Sequence, residues 1–131
     1  MQNNPTNLRL GSALAILAGV LCAAIAMAAS AKDAGRGRDA FETRCAGCHA
    51  LDKLKGGPPL RGVFGRHAGE DPRFAYSDAM KRASVAWDES TLDRWLTDTE
   101  SVIPGSDMAF RLNDPVERAN IIAYLRQLSG K

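Results

Sequence analysis

Cysteine, histidine and net charge are what this 131-residue chain has least of. Three cysteines exclude the disulfide-dense scaffold of a small secreted domain. Two histidines, with only Cys22 and His67 outside residues 45–49, leave no second ligand pair for a zinc site. The formal charge is +2, from 17 basic and 15 acidic residues, which is far from the strongly basic footprint of nucleic-acid binding. Strand signals are poor, and there is no internal repeat, low-complexity tract or second domain, so one small all-α domain is expected.

Residues 1–31 have no acid and one base, Arg9. Leu10 to Ala29 is apolar or small throughout, and Ala29-Ser30-Ala31 precedes Lys32-Asp33. That order is the n-region, h-region and small-residue cleavage site of a secretory signal peptide. The run is also long enough to span a bilayer. Cleavage is the preferred reading and an uncleaved anchor the alternative. The division is therefore 1–31 leader and 32–131 domain, and Cys22 leaves with the leader.

Cys45-Ala46-Gly47-Cys48-His49 carries the chemistry. C-x-x-C-H is the attachment pattern of a c-type haem. Two thiols add across the two vinyl groups, and a two-residue helical spacer matches their separation. The next histidine is carried under the ring, where Nε2 can bind iron. A thiol oxidoreductase would want a βαβ pattern around C-x-x-C, and a Cys45–Cys48 disulfide would close a tight loop with little entropy to remove. Bacteria join haem to this motif outside the cytoplasm, so motif and leader agree on the periplasm. With its leader removed the domain has 100 residues, for which an apolar core alone is marginal, and a buried macrocycle supplies what is missing.

Three helices are legible. One runs from about Ala34 into the motif, with Gly37, Phe41 and Cys45 on one face. A second starts at Asp88 and carries Leu92, Trp95 and Leu96. A third has Asp114 as N-cap, Pro115 at N1 and Glu117 at N3, followed by an apolar face of Val116, Ile121, Ile122, Tyr124, Leu125 and Leu128. Ser77-Asp78-Ala79-Met80 suggests a short extra helix. Residues 51–76, rich in Gly and Pro, read as loop.

Iron has one axial position left. Met1 and Met27 lie in the leader, Met80 in the short helix, and Met108 in a non-helical stretch with a Pro104-Gly105 turn. An isolated methionine is ordinarily a core filler. Met108, however, follows C-x-x-C-H at a plausible distance and precedes the last helix.

With Phe41, Gly57-Pro58-Pro59-Leu60-Arg61-Gly62, Val63-Phe64-Gly65-Arg66, Phe74-Ala75-Tyr76-Ser77-Asp78-Ala79, Trp87, Ile103-Pro104-Gly105-Ser106-Asp107-Met108-Ala109-Phe110 and Ile122-Ala123-Tyr124-Leu125, the whole region after the leader resembles class I cytochrome c. The nearest likeness is to the mitochondrial-like soluble cytochromes of bacteria. The resemblance implies the cytochrome c fold, with three core helices, a short helix and loops around one haem. It implies His49 and Met108 as axial ligands, and the Pro58 carbonyl as acceptor for His49 Nδ1–H. Tyr76 and Trp87 would bond the inner propionate, with Arg66 compensating its charge. Gly37 and Phe41 would pack against Tyr124 where the first and last helices cross. Phe110 would shield the haem edge, and His67 would sit in an exposed turn.

Four departures from that pattern are visible. Trp95 stands where a tyrosine often bonds the methionine sulfur, Met80 where a polar residue often holds a water, and Pro59 where asparagine is usual. All three remove polar groups and point to a drier pocket favouring the ferrous state. Around the haem edge, Asp39, Glu100, Asp107 and Asp114 stand where the family has lysines, while Arg44 and Lys55 keep positive charge. Weak docking to partners built for a lysine ring follows.

The function implied is a one-electron carrier, itself not an enzyme and expected to be a monomer. Its partners would be redox proteins: a dehydrogenase, a cytochrome bc complex or an oxidase. A dedicated electron-transfer subunit or a membrane-anchored form shares the chemistry. An open-site haem sensor or peroxidase would need a missing or labile sixth ligand, against which Met108 argues.

Overall fold

The computed structural model describes residues 34–131; the segment expected to be a leader, with Cys22, lies outside the described residues. Helix α1 occupies 34–44, α2 Asp78–Arg82, α3 Glu89–Thr97, α4 Thr99–Val102 and α5 Pro115–Leu128. No strand forms among the described residues, apart from one isolated antiparallel bridge between His67 and Ala86. The fold is all-α, as expected, with α4 as a second short helix the sequence did not announce.

Caps explain where the helices start. Asp88 accepts from Thr91 N–H while Thr91 Oγ1 accepts from Asp88 N–H, each at 2.8 Å, a reciprocal capping box that opens α3. Asp114 accepts from Val116 and Glu117 N–H ahead of Pro115, opening α5. Asp98 ends α3, caps α4 by accepting from Glu100 N–H, and so turns the chain between them.

α1 and α5 cross at Gly37. A side chain there would place its Cβ 2.8 Å from Tyr124 Cβ and closer still to the Asn120 carbonyl, so only glycine allows this approach. One turn on, Phe41 meets Tyr124 edge to face with ring centroids 5.7 Å apart. α3 packs on α5 through Leu92, Trp95 and Leu96, and Ile121, Ile122 and Leu125 complete one core. Val116 is a correction: it is 62 % exposed. At about 100° per residue it points about 180° away from Leu125, on the solvent side of the first turn.

Candidate functional site

The end of α1 builds the attachment motif. Cys45 and Ala46 N–H both donate to the Phe41 carbonyl, and His49 N–H donates to the Cys45 carbonyl at 2.8 Å. Both thiols thus sit on a short helical turn with His49 at its exit. The Gly-rich loop folds back onto that turn: Gly57 N–H donates to Cys48 O at 2.7 Å, Leu60 N–H to Ala50 O at 3.0 Å, and Lys55 Nζ to Ala46 O.

His49 Nδ1 lies 2.8 Å from the Pro58 carbonyl. A carbonyl can only accept, so Nδ1 carries the proton, and the neutral ring keeps a lone pair on Nε2. Burial pushes the His49 pKa down and the Pro58 bond pushes it back less strongly, so the ring is neutral at neutral pH. Gly57 makes room for it, since a Cβ there would lie 2.7 Å from Nδ1 and 3.0 Å from Nε2. Burial, aided by the Glu117 charge, pushes the Cys45 thiol up to about 11, so it remains S–H.

A cavity of about 440 Å³ adjoins these groups. Cys45, Cys48, His49, Arg66, Tyr76, Trp87, Trp95, Met108 and Phe110 all line it, with Pro58 beside them. Every residue singled out in the sequence for haem contact is therefore brought to one place. Trp87 and Trp95 pack with centroids 5.3 Å apart, tilted 50°. Neither indole N–H has an acceptor among the described residues, and both rings line the cavity. Tyr76 lines it too, with its pKa raised chiefly by burial. Two thiols, an imidazole lone pair, a thioether, apolar walls and unpartnered donors suit a flat apolar macrocycle bearing iron and carboxylates.

The cytochrome c family description matches residues 34–129. The chain belongs to the cytochrome c family. Among curated relatives, the cytochrome c of Chlamydomonas reinhardtii is 48 % identical over 106 residues, 78 % of this chain and 95 % of that one. The cytochrome c of Sesamum indicum is 44 % identical over 98 residues, 72 % and 88 % of the two chains. Among solved structures, cytochrome cH from Methylobacterium extorquens superposes with a TM-score of 0.68 at 41 % identity, covering 72 % of this chain and 97 % of its own. Membership makes the protein an electron carrier and not an enzyme, with haem c joined through Cys45 and Cys48.

The sequence singles out Arg66, but not two charged groups outside the cavity lining of this cytochrome c, Asp71 and Arg118. Arg66 lines the cavity, but its guanidinium is already engaged: Nη2 donates to Pro59 O at 3.1 Å, and Nη1 lies 3.5 Å from Asp71 Oδ2. Asp71 is 4 % exposed and receives a two-pronged bond from Arg73 at 2.7 and 2.9 Å. That bond, the Arg73 backbone N–H and the Arg66 charge hold the Asp71 carboxyl down at about 2. No sequence signal marks Asp71. Arg118 is different: a charged residue on the apolar stripe of α5, one turn before Ile121 and Ile122, is a visible anomaly. Its side chain reaches Asp93 at 2.7 Å, Leu112 O at 2.8 Å and Asn113 O at 3.1 Å. His67 is exposed, as expected, and also lines the cavity.

Proposed function

We propose that this cytochrome c is a periplasmic carrier whose iron is held between His49 Nε2 and the Met108 thioether. The observation that carries this reading is the His49–Pro58 bond, which leaves Nε2 as the free nitrogen in a cavity Met108 also lines. The haem, when bound, supplies a one-electron couple at its iron. The chain's residues do the rest. Pro58 fixes the imidazole orientation and raises its basicity. Trp87, Trp95, Leu92 and Phe110 exclude water. Tyr76 and Trp87 offer donors to an inner propionate, and Arg66 offset by Asp71 limits the positive charge beside it. With His49 and Met108 as its two protein ligands the iron would have no position for substrate, and little reorganisation would oppose transfer. Periplasmic location follows from the leader-like 1–31 segment, and the partners are redox proteins. Among the described residues no helix is long and apolar enough to cross a membrane.

The test is the absorption spectrum of the reduced protein with and without carbon monoxide. A low-spin spectrum unchanged by the gas is expected. A rapid shift would mean an open or labile sixth position and would replace the carrier reading with a sensor or peroxidase.

A further inference from the structure

Thr99, the first residue of α4, is 1 % exposed. A hydroxyl that deeply buried has to find partners, and those of Thr99 all belong to one residue of the Met108 loop. Phe110 N–H donates to Thr99 Oγ1 at 3.0 Å, and the hydroxyl in turn lies 3.3 Å from Phe110 O. Thr99 N–H donates to that same carbonyl at 3.2 Å. Leu112 N–H, bonded to Leu96 O at 2.9 Å, continues the seam onto α3. On the other side the chain leaves α4 through Ile103 N–H to Thr99 O at 3.1 Å. The loop from 103 to 110 therefore begins and ends on Thr99, and Met108 stands two residues before the clasp.

We propose that Thr99 is a positioning residue for the Met108 thioether, its hydroxyl closing the loop that presents the sulfur to iron. The proposal rests on Met108 as sixth ligand. Valine has nearly the shape of threonine and would keep the backbone bond, yet it would strand the Phe110 N–H. Opening the loop would then cost less, and a competing ligand would enter more readily.

The experiment compares holoprotein of the wild type, T99V, T99A and the hydroxyl-retaining T99S, using imidazole as the competing ligand of ferric iron. Exchange of the Phe110 amide hydrogen and the guanidinium unfolding midpoint are measured alongside. T99V and T99A should bind imidazole about tenfold more tightly, the equivalent of one buried hydrogen bond lost, and the Phe110 amide should exchange faster. T99S should restore both. G37A, which loosens the distant α1–α5 crossing, gives the effect of lowered stability alone. Unchanged imidazole affinity in both T99V and T99A would overturn the proposal. So would an equal gain in G37A at matched stability, because the effect would then be global. A wild type that already binds carbon monoxide would instead overturn the Met108 ligation beneath it.

Discussion

Two glycines hold positions that any side chain would spoil. Gly57 lies under the His49 ring and Gly37 under α5. At Gly37 the obstruction is backbone, the Asn120 carbonyl, which cannot swing aside as a flexible side chain would. Gly37→Ala should therefore lower stability by about 1–3 kcal/mol through overpacking, read as a drop in the thermal or guanidinium midpoint of the holoprotein. Trp95 tests a different property. It is 5 % exposed and its indole can only donate. Trp95→Tyr returns a hydroxyl to the pocket that can also accept, and should stabilise the ferric state. A fall in midpoint potential of roughly 40 mV is expected, about the one-electron equivalent of 1 kcal/mol for one hydrogen bond. An unshifted potential in redox titration would refute the drier-pocket account.

Among the elements, those with local signals were legible and those held by distant contacts were not. Asp88 and Asp114 announce α3 and α5 because a cap and an apolar stripe lie within a few residues of each other. Cys45–His49 announces the site because attachment chemistry dictates its spacing. α4 is a single turn whose place depends on Asp98 serving two helices and on Thr99 meeting Phe110, eleven residues away. Asp71 is burial without pattern, since nothing near it in sequence shows that Arg66 and Arg73 converge on it. Val116 was misplaced because apolar character was counted without its angle around the helix. Arg118 shows what one side chain does for a segment, tying α5 to α3 through Asp93 and to the end of the Met108 loop through two carbonyls. Arg118→Met keeps the length and the apolar stem but loses all three bonds. It should cost about 1–3 kcal/mol, and by loosening 112–113 it should speed hydrogen exchange along that loop more than along α1.

At the scale of the molecule, charge governs both acid stability and encounter. The Asp71 carboxyl sits at about 2 when folded, against about 3.9 for an unfolded aspartate. Its folded value is depressed, so its contribution is complete above about pH 5 and is lost progressively as pH falls through 2 toward about 1. Asp71→Asn should melt lower than wild type at pH 7, and the two should draw together below about pH 4 and converge only below pH 2, by about pH 1, in pH-stepped thermal scans. Asp107 and Arg44 line the cavity, Asp107 exposed and Arg44 bound to Glu117 at 2.8 Å, while Glu100, outside that lining, accepts from Gly105 N–H. Arg44 is thus paired with an acid, Lys55 Nζ rests on the neutral Ala46 carbonyl and keeps its charge, and Asp107 and Glu100 make the local field more acidic than a full lysine ring would. Reduction of a small cationic complex should slow as salt rises and that of an anionic one should quicken, as stopped-flow rates would show. The opposite signs would mean that a lysine-type face survives.

The contact at Gly37 joins residues 37 and 120, so it closes a span of more than eighty residues. A chain that emerges amino end first, from a ribosome or through a translocation pore, cannot make that contact until residues 120–124 have followed. Until then Phe41 has no Tyr124 to pack on, and Cys45, Cys48 and His49 stand at the end of a helix that nothing covers. The order of emergence thus leaves Cys45, Cys48 and His49 uncovered by α5 until the last helix arrives.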